Sequence, residues 1–155
     1  MVGRIMTAFA ALAIVCTSSA RAAEGWTEDL QAAIAEAKKT GKVIVADFTG
    51  SDWCGFCKKQ HAEVFDTDTF NAWAKDNAVL LTVDFPARKR QDAATKKQNA
   101  ELKAKFGVRG YPTIIFMTTK GDELGRFVGY PPGSGPEAWI KKANDIVSKN
   151  EKSGS

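Results

Sequence analysis

The sequence predicts an α/β fold: one mixed β-sheet, its early strands parallel and its last two an antiparallel hairpin, with helices on both faces. Compact β-branched runs, KVIVADF and AVLLTVDF, alternate with segments of helical period. The stretches between the early strands are long enough for crossover helices, which makes those strands parallel. The final two strands are separated only by TTKGD, a connection suited to a hairpin.

Each element has its own signal. From Trp26 to Thr40, Leu30, Ala33, Ile34 and Ala37 recur at helical spacing, with Thr27 as the expected N-cap and Gly41 just past the end. KVIVADF follows as a strand buried on both faces. In CGFCKKQHAEVF, Cys57, His61 and Val64 fall at i, i+4 and i+7, so a helix is expected to open at or near Cys54. Asp68 is the expected cap of a short helix carrying Phe70 and Trp73, and AVLLTVDF is the second buried strand. After the loop FPARKR, the charged stretch up to Lys105 reads as a surface helix with Leu102 and Phe106 as its thin apolar stripe. YPTIIFM and LGRFVGY are the hairpin strands. The Pro/Gly-rich loop GYPPGSGPE then leads to a last helix, where Ser134 and Glu137 have capping-box spacing ahead of Trp139, Ile140, Ile146 and Val147. No internal repeat or low-complexity segment interrupts this order.

The 155 residues suit one domain, expected over 23–150, with a disordered tail at 151–155. Residues 1–22 read differently. Arg4, the apolar run from Ile5 to Ala20 and the small-residue step Ala20-Arg21-Ala22 form a secretion leader cleaved after Ala22, of bacterial type. The apolar run is short for a bilayer span, and Val15 before Cys16 does not suit a lipid-bearing cysteine. A secreted or periplasmic location is expected.

The formal charge of +4 reflects 22 Lys+Arg against 18 Asp+Glu; Arg4 and Arg21 leave with the leader and no acid does, which brings the balance to +2. That is no nucleic-acid signal. The clusters KKQ, RKR and TKKQ read as solvated faces among acids.

Without the leader, two of three cysteines remain, Cys54 and Cys57, in a compartment that permits disulfides. A staple closing so small a loop constrains the unfolded chain little, so reactivity explains the pair better than stability. A thiolate attacks disulfides, and a helix N-terminus stabilises it through free N–H groups and the dipole. Cys54, where the turn enters the helix, is the candidate nucleophile with its sulfur open to solvent. Cys57, one turn deeper, is the resolving thiol. Zinc would need a fourth ligand beyond Cys54, Cys57 and His61, for which Asp52 and Glu63 are weak choices, and c-type haem needs histidine where Lys58 stands. No metal or cofactor is expected, and His61 reads as a packed bystander.

VIVADFTGSDWCGFCKKQHAEVF and FGVRGYPTIIFM resemble the thioredoxin superfamily, in particular secreted bacterial thioredoxin-like proteins and the periplasmic thioredoxin-like domains of disulfide reductases. WCGFCK and GYPT are the specific part. The resemblance implies a thioredoxin fold and thiol-disulfide exchange through Cys54 and Cys57. It also implies a cis-proline at Pro112 and substrate contacts from Trp53, Tyr111 and Pro112. Asp47 is implied as the buried proton acceptor for Cys57, although the turn from Asp47 to Cys54 is one residue longer than in the thioredoxin pattern. Phe56 replaces the family's proline between the cysteines, a position that tunes the redox potential.

The expected function is thiol-disulfide oxidoreduction on protein disulfides and dithiols, in the reductase direction. The expected partners are those substrates and an electron donor or acceptor, a membrane redox protein being one candidate. A monomer with no nucleic-acid partner is expected. The competing reading is a redox-inert binding or metal-carrying module on the same fold.

Overall fold

Val43–Thr49 (β2) is buried at every position, as its run of apolar and β-branched residues requires, and the sheet is built around it. In the computed structural model, which describes residues 25–153, the order of strands is β1-β3-β2-β4-β5. These are β1 (Trp26–Thr27), β3 (Ala78–Asp84), β4 (Thr113–Met117) and β5 (Glu123–Val128) around β2. β1 and β2 each run parallel to β3, whereas β4 runs antiparallel to β2 and β5 antiparallel to β4. The leader read over 1–22 lies outside the described residues.

Alternation along β2 sorts two cores. Ile44, Ala46 and Phe48 face Ala33 and Ala37 of α1 (Leu30–Thr40) and Leu102 and Phe106 of α4 (Ala93–Phe106). Val43 and Val45 face Phe70 and Ala74 of α3 (Asp68–Asn77) and Trp139, Ala143 and Ile146 of α5 (Gly135–Ser153). Each such fully buried Val, Ile or Phe contributes about 1.5–3 kcal/mol. Asp47 belongs by alternation to the second face, where it is a buried carboxylate beside the apolar Val43 and Val45.

Four boundaries differ from the sequence reading. Trp26 and Thr27 do not open α1; they pair with Leu80 and Leu81 as an edge strand too short to show periodicity. Asp29 caps α1 instead of Thr27, accepting from the Gln31 and Ala32 N–H groups at 2.8 and 3.1 Å. Thr67 caps α3 instead of Asp68, accepting from Phe70 N–H at 3.2 Å, and Asp68 occupies the first turn, where the dipole favours an acid. α5 continues through residues 151–153, beyond the expected end of the domain at 150. Among the described residues, no helix is long and apolar enough to cross a membrane.

Candidate active site

β2 ends at Thr49, and the turn Gly50–Trp53 delivers the chain into α2 (Gly55–Gln60). Gly50 O accepts from the N–H groups of both Trp53, at 3.1 Å, and Cys54, at 2.8 Å. The turn is tight enough that a Cβ on Gly50 would collide with the Trp53 indole. Cys54 is the N-cap of α2, and its Sγ accepts from Cys57 N–H at 3.2 Å. The two cysteines form a disulfide. Contrary to the expectation of an open nucleophile, Cys54 is only 6% exposed, while its neighbours Trp53 and Phe56 stand out at 47% and 56%; Cys57, at 1%, is deeper still.

Sheet register brings the second half of the site to the same end. Thr113 pairs with Phe48, so the Tyr111–Pro112 step enters β4 beside the point where β2 leaves for the cysteines. That peptide bond is cis, and Pro112 O accepts from Gly129 N–H at 2.8 Å. The Tyr111 ring meets Trp53 edge-on at 5.7 Å and Phe85 at 5.4 Å. Trp53 and Tyr111, named from sequence as contacts, are therefore brought together, with Phe85 as an unforeseen third ring.

α2 does not continue as a regular helix. His61–Phe65 is π-helical, a form that concentrates at functional sites. It holds the His61 ring against Phe65 at 5.0 Å and Trp26 at 6.1 Å, with Nε2 2.8 Å from Asp47 Oδ2. His61, read from the sequence as a packed bystander, is the hydrogen-bond partner of the buried carboxylate. Asp47 is 1% exposed, and its Oδ1 has no partner among the described residues. Burial pushes the Asp47 carboxyl above its ordinary 3.8, against the opposing bond and charge of His61. Burial also disfavours charged His61, but the bond and charge of Asp47, with Asp66 and Asp84 behind it, prevail and hold the imidazole above 6.5. The signal was present in the sequence: strand alternation puts Asp47 on one sheet face, and i, i+4 spacing puts His61 on the Cys57 face of the helix packed there.

A second set of contacts fastens the cysteine turn to the loop after β3. The Asp84 carboxylate accepts from Ser51 N–H and Ser51 Oγ at 2.9 and 2.6 Å, and Trp53 Nε1 donates to Phe85 O at 2.8 Å. Asp52 accepts from the N–H groups of Ala87, Arg88 and Lys89 at 2.9, 2.7 and 2.9 Å, which lowers its pKa to about 2. We expect Asp52→Ala to release this loop, seen as faster hydrogen exchange at the Ala87, Arg88 and Lys89 amides while the β2 amides stay protected. Unchanged exchange at those three positions would show that the carboxylate does not hold the loop.

The profile of the thioredoxin-like domain family matches residues 30–144. The chain belongs to the thioredoxin-like family. It is 33% identical over 120 residues to the disulfide bond reductase DsbH of Chlamydia pneumoniae, covering 77% of this chain and 71% of that one. Against the thiol:disulfide interchange protein DsbD of Cronobacter sakazakii it is 38% identical over 109 residues, 66% of this chain but 16% of the longer relative. The solved structure of a DsbH oxidoreductase superposes with a TM-score of 0.73 at 27% identity, covering 84% and 92% of the two chains. A thioredoxin from Thermus thermophilus, at TM-score 0.63 and 20% identity, shares the fold. The protein is thus a thioredoxin-like oxidoreductase whose CxxC cysteines stand as a disulfide.

Proposed function

We propose that the protein reduces disulfides of exported proteins, with 1–22 as a cleaved leader and the domain working outside the cytoplasm as a monomer. The observation that carries the reading is Cys54 at the N-cap of α2, its sulfur already accepting a helix N–H at 3.2 Å. That arrangement favours the thiolate over the thiol. Similarity to a protein named a disulfide bond reductase supports the direction.

In the reduced protein, the Cys54 thiolate attacks one sulfur of the substrate disulfide, forming a mixed disulfide and expelling the other substrate sulfur, which takes up a proton. Cys57 then loses its proton to Asp47 and attacks Cys54 Sγ, closing the Cys54–Cys57 disulfide and expelling the second substrate sulfur, which takes up a proton from solvent as Asp47 releases its own. The substrate gains two electrons and two protons. Trp53, Tyr111 and Pro112 contact the substrate chain beside its cysteine. An external dithiol donor, for which a membrane redox protein is one candidate, returns the electrons.

The test is to reduce the protein with dithiothreitol, follow its reduction of insulin disulfides, and measure its reduction potential. Two-electron uptake, insulin reduction and a potential near thioredoxin's roughly −270 mV are expected, and about 30 mV is a tenfold change in equilibrium. A potential near the −120 mV of strong oxidants, on the order of 150 mV higher, would overturn the direction. Failure to take up electrons would leave a binding module.

A further inference from the structure

At the sheet end that carries the cysteines, four strand termini lie side by side in the order β3, β2, β4, β5. β2 leads to Cys54, and β4 begins just after Pro112. The outer two termini differ in charge. β3 leads into Phe85-Pro86-Ala87-Arg88-Lys89-Arg90, whose three cations are exposed and form no ion pair among the described residues. β5 leads into Val128-Gly129-Tyr130-Pro131-Pro132-Gly133, which carries no charge, and the acid behind it, Glu63, accepts from Tyr130 Oη and Gly133 N–H, both at 2.7 Å.

A run of surface cations is ordinarily a solvated face. Here the backbone beneath it is fixed to the cysteine turn, because Asp52 takes three consecutive N–H groups and Trp53 bonds Phe85 O. Lys89 Nζ reaches Ser51 Oγ at 3.3 Å, within the turn itself. Lys103 Nζ sits 5.3 Å from the centres of both the Phe85 and Tyr111 rings, and a surface groove lined by Phe85, Lys103, Val108 and Arg109 extends the positive side. An ordered cationic loop next to exposed Trp53 and Phe56 has the anatomy of a docking surface, apolar at the centre and charged at one rim, with little ordering left to do on binding.

We propose that the Arg88–Lys89–Arg90 loop docks carboxylates of a protein substrate, on one side only of the cysteine that Cys54 attacks. The loop supplies charge complementarity and the uncharged β5 side requires none. This inference rests on the thiol-disulfide exchange proposed above and adds the class of substrate segment.

The experiment uses peptides with one central cysteine, each in mixed disulfide with 2-mercaptoethanol. Their flanks are acidic on the N-terminal side, acidic on the C-terminal side, serine on both sides, or lysine on either side. Their second-order rates with the reduced protein are divided by the rate with bis(2-hydroxyethyl) disulfide, an uncharged reference. Each exchange converts protein dithiol and peptide disulfide into protein disulfide, peptide thiol and 2-mercaptoethanol. One acidic peptide should outpace its lysine counterpart by about tenfold at low ionic strength, and the advantage should shrink to under about twofold near 0.5 M salt. The opposite placement of acids should give little advantage. In R88E/K89E/R90E the order should invert, and in R88Q/K89Q/R90Q, which keeps the loop uncharged, it should flatten.

Equal rates for all peptides, or the wild-type order surviving in both variants, would overturn the proposal. So would tight binding of a single-stranded oligonucleotide or of anionic vesicles that depends on the loop while peptide rates show no charge order. Failure to reduce the uncharged disulfide would instead strike the redox reading itself.

Discussion

Cys54→Ser loses insulin reduction by on the order of a thousandfold or more, whereas Cys57→Ser keeps the first attack and accumulates as a covalent adduct with its substrate. The asymmetry follows from position. Cys54 caps α2 with its sulfur within hydrogen-bond reach of Cys57 N–H, and it is the less covered of the pair, at 6% against 1%. A serine there places a hydroxyl of far lower acidity at the same donors, and no thiolate remains at the helix N-terminus to begin the exchange. A serine at position 57 leaves the attack intact but removes the thiol that resolves it. Mass spectrometry of each variant after reaction with a cysteine-containing peptide disulfide checks this: the adduct should appear on Cys54 of the Cys57→Ser variant. An adduct on Cys57 of the Cys54→Ser variant, formed as fast, would reverse the roles.

What the sequence made legible was decided by local, periodic signals. The β-branched runs of β2 and β3, the short TTKGD turn with Gly121 at φ 83°, and the cysteine at the entry of a helix each depend on residues a few positions apart. Trp26–Thr27 escaped because two residues have no period, and their strand exists only through Leu80 and Leu81 across the sheet. The caps shifted by one or two residues because Thr27, Asp29, Thr67 and Asp68 are all competent, and the surrounding packing chooses. In the site, the disulfide pair and the Tyr111–Pro112 step could be named in advance. The anchoring of Asp52 to the residue 87–89 backbone could not, since it links segments 35 to 37 positions apart through main-chain groups that carry no residue-type signal. The same anchoring changes the meaning of RKR, which in sequence is a solvated charge run and in the fold stands beside the cysteine turn.

The buried pair Asp47–His61 should set activity against stability. Asp47 is a carboxylate with one oxygen unpartnered among the described residues and the other held only by an imidazole, and burying such a group costs about 1–3 kcal/mol. Asp47→Asn keeps the shape and removes the charge. In the oxidised form it should be more stable than wild type at pH 8, by chemical denaturation, while the reduced variant resolves the mixed disulfide about a hundredfold more slowly, the low end of general-base catalysis. The pH dependence has a definite sign. Both groups have pKa values raised above their ordinary 3.8 and 6.5, so the folded state holds more protons than the unfolded one. Their contribution to stability is present in full at low pH and is lost as pH rises from the ordinary carboxylate range through the raised values of both groups. As pH rises through that range, wild type should therefore lose stability more steeply than Asp47→Asn. His61→Gln separates the pair from mere packing. Because the charge of His61 helps to lower the Asp47 pKa against the larger effect of burial, removing that charge should move the pH midpoint of the resolving step upward in single-turnover measurements. A midpoint that stays in place or moves down would mean that His61 does not act on that carboxylate, and an unchanged resolving rate in Asp47→Asn would remove Asp47 from the proton path.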